Sequence, residues 1–288
     1  MQDAQGRDIA ARVSELLGER VQRIQQHQNA EQYVVVEVNG TWIFRFIRDL
    51  ADPSLGTEKA FLPLFASRSP IAIPGIEFSG RDFVGYRKIE GERLTRSLLD
   101  TFSARSRTRV AGQLAAFFTE LHSFDIEEAR DIGVSVGWNG WVARAHQTVR
   151  QEIAPMLSRS ARRRVLDLID QVRQETRGTT VIHADMGPAN VLSDGMETGV
   201  SGVIDFGHIT IEDNARDFVY LLDAYGEGFL MEVLSNYPQG DDDDLEPRIR
   251  SRRIEGKLTD AVHAREVGAG SRVERRLAEV EELLGAGP

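Results

Sequence analysis

The chain has 288 residues, 41% of them hydrophobic, with 35 Lys and Arg against 45 Asp and Glu and no cysteine. That is enough apolar sequence for one large core or two modest ones. A net charge of −10 argues against nucleic acid and anionic membrane as partners, since both need a basic face, and it is compatible with a cationic substrate. Zero cysteines exclude a disulfide framework and a thiolate metal site and suit the cytoplasm. No apolar run reaches the roughly eighteen residues of a membrane span, and the first residues lack the basic start and apolar stretch of a secretion signal.

In chain order, Ile9, Val13, Leu16 and Leu17 recur at helical spacing, which predicts an opening helix up to Gly18. Tyr33 to Val38 and Trp42 to Ile47 are β-branched or aromatic runs around Asn39-Gly40, a type I′ hairpin signal. Thr57 to Ala66 reads as a helix with Ala60, Phe61, Leu64 and Phe65 on one face. Ile76 to Ser79 and Asp82 to Ile89 read as a second hairpin.

From Leu94 onward helical patterns dominate. Val110, Leu114, Phe117, Phe118 and Leu121 form an apolar stripe ending at His122, and helices are expected over Trp138 to Ala154 and Ser160 to Gln174. Short β runs follow at Thr179 to His183, Val191 to Ser193 and Gly202 to Asp205, and helices resume near Ala215. Arg248 to Arg253 reads as the wet side of a helix, and Asp241 to Asp244 as an exposed loop tip. The expected class is α+β, with a β-rich front, a helical rear and a ligand cleft between them.

Phosphoryl transfer needs a carboxylate to orient or deprotonate the attacking hydroxyl and oxygen ligands for magnesium on the phosphates. Asp185 and Asn190, five apart between two short strands, offer one of each. Asp205, at the end of the next strand and before Phe206-Gly207, offers a second metal carboxylate. His183 reads as an orienting residue rather than an acid or base.

His183-x-Asp185-x-x-x-x-Asn190 followed by Asp205-Phe206-Gly207 resembles the catalytic and metal-binding segments of the protein-kinase fold. The fuller strings Val181 to Leu192 and Val203 to Gly207, with Asp217 beyond them, resemble the aminoglycoside phosphotransferase family, and the motifs run from about Ala30 to Leu222. The resemblance implies a two-lobed kinase-like fold, a small β-rich N-terminal lobe over residues 1–89 and a larger, mainly helical C-terminal lobe over 90–288. It implies that Arg45 grips the nucleotide phosphates, that Glu58 pairs with it, and that Tyr86, Arg87, Lys88 and Ile89 form the last strand and hinge against the purine. Tyr86 would be the gatekeeper at the back of the base pocket.

Two departures stand out. Position 45 is arginine where kinases usually have lysine, and 24–30 contains no glycine where a glycine-rich phosphate loop is expected.

The chain is thus expected to be a small-molecule kinase that uses Mg2+ and ATP or GTP. Asp185 is its catalytic carboxylate, and Asn190 and Asp205 are its metal ligands. The acceptor is expected to be an antibiotic, an aminoglycoside first, with Asp213, Glu227, Glu232 and Glu266 as acidic candidates for a polyamine-like molecule. Trp138 and Trp141 read as core or as a wall of that site. A macrolide 2′-phosphotransferase and a metabolic kinase of choline, homoserine or sugar type are the alternatives, with an inactive nucleotide-binding module from a different class. The sequence leaves the oligomeric state open.

Overall fold

The computed structural model describes residues 2–27, 32–137, 141–174, 179–195, 199–238 and 244–285. It opens with helix α1 (Gln2–Leu17), followed by strands β1 (Ile24–His27), β2 (Tyr33–Val38) and β3 (Trp42–Ile47), helix α2 (Ser54–Ala66), and strands β4 (Ile76–Ser79) and β5 (Phe83–Arg87). The strands form one antiparallel sheet in the order β1-β2-β3-β5-β4. Asn39 and Gly40 turn the central hairpin with φ of 54° and 75°, the double left-handed geometry that a type I′ turn requires.

Alternation along the strands gives the sheet two apolar faces. Val34, Val36, Val38, Trp42, Phe44, Phe46 and Phe83 pack under Ile9 and Val13 of α1. The opposite face carries Tyr33, Ile47, Val84 and Tyr86 against Leu55 of α2. Helix α2 starts at Ser54 rather than Thr57, and its buried residues are Leu55, Glu58, Phe61, Leu62 and Phe65, while Leu64 is exposed. Apolar content alone does not choose between Leu62 and Leu64. The inward-facing Glu58 does, because 58, 61, 62 and 65 share one helical face.

The remainder is mainly helical. Strand β6 (Glu92–Arg93) leads to α3 (Arg96–Leu99), α4 (Ala104–His122), α5 (Ile126–Asp131) and α6 (Trp141–Thr148). A π turn (Val149–Ile153), a 3-10 turn (Ala154–Met156) and α7 (Arg159–Gln174) follow. Trp138, the expected start of the sixth helix, lies outside the described residues. Its expected α-helical end is replaced by the widened turn, which runs into Pro155, a residue with no amide to donate.

Next come β7 (Thr179–Ile182), β8 (Val191–Ser193), β9 (Val200–Val203), a 3-10 turn (Phe206–His208) and β10 (Thr210–Asp213). Helices α8 (Ala215–Tyr225), α9 (Glu227–Leu234), α10 (Leu245–Glu266) and α11 (Gly270–Gly285) close the chain. Strand β7 pairs with β10, and β8 with β6 and β9. This is the expected two-lobed architecture.

The expected α4 stripe is fully buried, and its aromatics meet those of α2 through Phe206. The Phe206 ring lies 6.2 Å from Phe61, 6.3 Å from Phe65, 6.4 Å from Phe117 and 4.8 Å from His183. One aromatic side chain thus ties α2 to the loop that follows β7.

Helix α10 departs from the expected wet face. Arg248 and Arg252 are buried, not solvated, because Asp213 and Glu255 meet them inside: Arg252 donates to Asp213 at 2.9 Å and to Glu255 at 3.0 Å. Glu255 also binds His146 at 2.6 Å and Arg216 at 3.3 Å. Burial opposes its charge, but Arg216, His146 and Arg252 outweigh burial and hold its pKa at about 2.

The folded-state pKa is therefore below the unfolded value, and the resulting stability is present above about pH 4.5 and lost as pH falls toward 2. Urea midpoints between pH 6 and pH 3 are expected to fall more steeply for the wild type than for Glu255→Gln, which starts lower. Parallel acid limbs in the two proteins would contradict this account.

Candidate active site

Arg45 sits on the central strand β3, on the face toward α2, and is 3% exposed. Its Nη1 donates to Glu58 Oε1 at 2.5 Å and its Nη2 to Asp205 Oδ1 at 2.7 Å. The guanidinium lies 4.2 Å over the Tyr33 ring, and a planar fork of donors is what allows one side chain to hold two carboxylates and an aromatic face at once. Burial works against the guanidinium charge, yet Glu58 and Asp205 raise its pKa, so it stays protonated. The Arg45–Glu58 pair is fully inside the protein rather than on its surface. Burial pushes the Glu58 carboxyl up against the pull of Arg45.

Asp205 follows β9 with φ of 66° and ψ of 70°, a left-handed conformation that costs a non-glycine residue energy and is maintained by the surrounding contacts. Its side chain is 40% exposed. Burial raises its pKa, but Arg45, His183 and His208 together hold it below the usual carboxylate range. It is an ionised oxygen donor that reaches solvent.

The loop between β7 and β8 carries the other groups. Ala184 also has a positive φ, 62°, which points the His183 and Ala184 amides the same way, at Asp217 of α8. They donate to its carboxylate at 3.0 and 2.8 Å. The His183 ring donates from Nε2 to the Ile204 carbonyl at 3.2 Å and accepts at Nδ1 from the Asp185 amide at 3.3 Å. Acceptance at Nδ1 requires a neutral ring, and burial lowers its pKa accordingly. The His183 ring thus joins the β7–β8 loop to the residue after β9.

Asn190 Nδ2 donates to the Asp185 carboxylate at 2.7 Å and to its carbonyl at 2.8 Å. This fixes the Asp185 side chain and turns the Asn190 amide oxygen elsewhere. Burial pushes the Asp185 pKa up, with His183 and His208 pulling the other way. The remaining donors, the Asn190 amide oxygen and the Asp205 carboxylate, are hard oxygens of the kind magnesium takes. Among the described residues no cluster of three His, Cys, Asp or Glu side chains is placed to cage an ion.

The hinge residues divide. Tyr86 is buried on the Arg45 face of the sheet, and burial raises its phenol pKa. Arg87 faces the other way, 3.8 Å over Trp42 and paired with Glu77 at 3.5 Å. Alternation along β5 therefore leaves only its backbone for a ligand on the Arg45 side. The Lys88 ammonium lies 3.3 Å from Glu37, and its amide is spent on the Thr41 carbonyl. Ile89 covers Gly202 of β9, where a Cβ would come within 2.5 Å of its Cγ2. The hinge is thus pinned to the strand that delivers Asp205.

The acidic candidates for the acceptor do not converge on Asp185. Asp213 is 3% exposed and held by Arg248 at 3.3 Å and Arg252 at 2.9 Å, so it locks β10 to α10. Glu227 pairs with Arg250 at 3.2 Å and Glu232 with Arg107 at 2.7 Å, joining α9 to α10 and to α4. Glu266 is exposed at the end of α10.

On α8, burial raises the Tyr220 phenol pKa, and the charge of Asp185 adds to it. Glu212 lies 2.8 Å from Arg216, and its Oε2 is buried without a partner. Trp141 lines a cleft of 330 Å³ beside the Asp205 turn, with Ser54, Thr57, Gly207 and His208. Two larger clefts, of 630 and 480 Å³, open away from the catalytic loop, around Tyr237.

A profile of the phosphotransferase enzyme family matches residues 20–251. The chain belongs to that family. The phosphotransferase is 28% identical over 277 residues to the viomycin phosphotransferase of Streptomyces vinaceus, covering 91% of this chain and 93% of that protein. Its fold is similar to that of APH(2″)-IIIa in a GDP and kanamycin complex, with a TM-score of 0.83 and 25% identity over 96% of this chain and 97% of that one. The fold is also that of a macrolide 2′-phosphotransferase type I, with a TM-score of 0.74 and 21% identity over 96% and 97% of the two chains. The kinase-like fold and the phosphotransferase class expected from the motifs are both found.

Proposed function

We propose that this phosphotransferase moves the γ-phosphate of ATP or GTP to a hydroxyl of a cationic antibiotic, an aminoglycoside first. The observation that carries the reading is the Asp185 carboxylate, fixed by Asn190 beside the Arg45–Asp205 pair. In the reaction the acceptor oxygen attacks the γ-phosphorus and forms the new P–O bond. The bond to the β,γ-bridging oxygen breaks, the nucleoside diphosphate leaves, and the hydroxyl proton passes to Asp185. Asn190 and Asp205 would hold magnesium, which neutralises charge on the phosphates. Arg45, steadied by Glu58, supplies fixed positive charge on the phosphate side.

Residues 1–89 serve as the nucleotide lobe and 90–288 as the catalytic and acceptor lobe, with Tyr86 behind the base. The GDP and kanamycin in the similar structure support both ligands, and the net charge of −10 suits a cationic acceptor. We place the acceptor side near Tyr220, whose phenol feels the charge of Asp185, in preference to Glu227, Glu232 and Glu266. Among the described residues no helix is long and apolar enough to cross a membrane, and a cysteine-free chain suits a reducing cytoplasm.

Identity to a viomycin phosphotransferase over nearly the full length favours viomycin as the second reading. Incubation with magnesium, either nucleotide and a panel of kanamycin, gentamicin, viomycin and a macrolide is expected to add the mass of one phosphate to an aminoglycoside. Transfer to the macrolide alone would overturn the acceptor assignment, and transfer to viomycin alone would establish the second reading.

A further inference from the structure

Asp217 holds the catalytic loop, but what holds Asp217 is not on the loop. Its Oδ2 also meets His122 Nε2 at 3.2 Å, from the last turn of α4. His122 Nδ1 lies 3.0 Å from the Tyr237 hydroxyl, which in turn receives Asn214 Nδ2 at 3.2 Å. A carboxylate only accepts here, so the imidazole donates at Nε2 and meets the Tyr237 hydroxyl at Nδ1. The contacts run from Asn214 through Tyr237 and His122 to Asp217, which accepts from the two amides that precede Asp185.

The ring of His122 cannot readily turn out of this chain. It is stacked on Phe118 at 5.4 Å and meets Phe218 and Tyr237 edge-on at 5.8 and 5.7 Å. Its backbone carbonyl accepts from Thr180 of β7, the strand that enters the catalytic loop. The outer end of the relay lines the 480 Å³ cleft, so the hydroxyl of Tyr237 is removable with little disturbance of the core.

We propose that His122 and Tyr237 are positioning residues for phosphoryl transfer, setting the orientation of Asp217 and through it the backbone on which Asp185 stands. This rests on Asp185 being the base. Tyr237→Phe keeps the ring and deletes only the O–H; it is expected to lower kcat on the order of tenfold, the scale on which small misplacements act, with nucleotide KM unchanged. His122→Gln, which can still donate to Asp217, is expected to retain more kcat than His122→Leu. Tyr237→Phe added to His122→Leu is expected to have no further effect, because the relay is already cut.

The experiment measures kcat and KM by nucleoside diphosphate release, with kanamycin and without, alongside thermal melts and Asp185→Asn as a control. Tyr237→Phe within twofold of wild type, additive effects in the double variant, or losses that follow melting temperature alone would overturn the relay. Turnover retained by Asp185→Asn would instead overturn the base assignment.

Discussion

Replacing Asp185 with asparagine is expected to lower kcat by about three orders of magnitude, at the upper range of what a positioned base contributes. Nucleotide affinity and melting temperature should stay close to wild type. The amide has the shape of the carboxylate and still offers an oxygen to Asn190 Nδ2, which lies 2.7 Å away in the wild type, so the loop geometry survives. What is lost is the capacity to take the acceptor proton. The nucleotide side is separate, since Arg45, Glu58 and Asp205 make their own contacts. Steady-state kinetics, calorimetric titration of nucleotide and a thermal melt check the three parts together, and a variant within tenfold of wild-type kcat would remove Asp185 from its role.

Replacing Asp217 with alanine is expected to cost about 4 kcal/mol of folding stability and to abolish turnover. The carboxylate is fully buried and accepts from the His183 and Ala184 amides and from His122. Each buried donor left without a partner costs about 1–3 kcal/mol. The positive φ of Ala184 would also lose the hydrogen bond that stabilises it. Urea denaturation gives the number directly, and a loss below about 1 kcal/mol would mean that other groups hold the loop.

Much of the site was legible because its chemistry is local. Asp185, Asn190 and Asp205 lie in short loops between β runs, and the reaction leaves few choices of residue type for them. The central hairpin was legible to the residue, since Asn39-Gly40 determines the turn and the turn sets the register. The α4 stripe was equally clear, as a long amphipathic pattern with one buried face.

What failed was the assignment of charge to the inside or the outside. Arg248 and Arg252 look like solvated residues because their partners, Asp213 and Glu255, are paired with them only by the fold. Asp213 reads from the sequence both as a structural residue holding the loop and as a ligand candidate; it is structural, but its lock is to Arg248 and Arg252 of α10. Glu227 and Glu232 are tied to neighbouring helices, and Arg87 is turned outward by the parity of β5.

The His183 to Asn190 loop with Asp205 was determined by the sequence alone, because a reaction class needs particular groups at short separations that a linear chain displays. Asp217 reads from the sequence as a structural residue that holds the loop, and it does so; the tertiary structure alone decided the rest, Arg45 reaching Asp205 across 160 positions and His122 and Tyr237 behind Asp217. Those partners are far apart in the chain, and a carboxylate's role depends on which donors the fold brings within 3 Å of it.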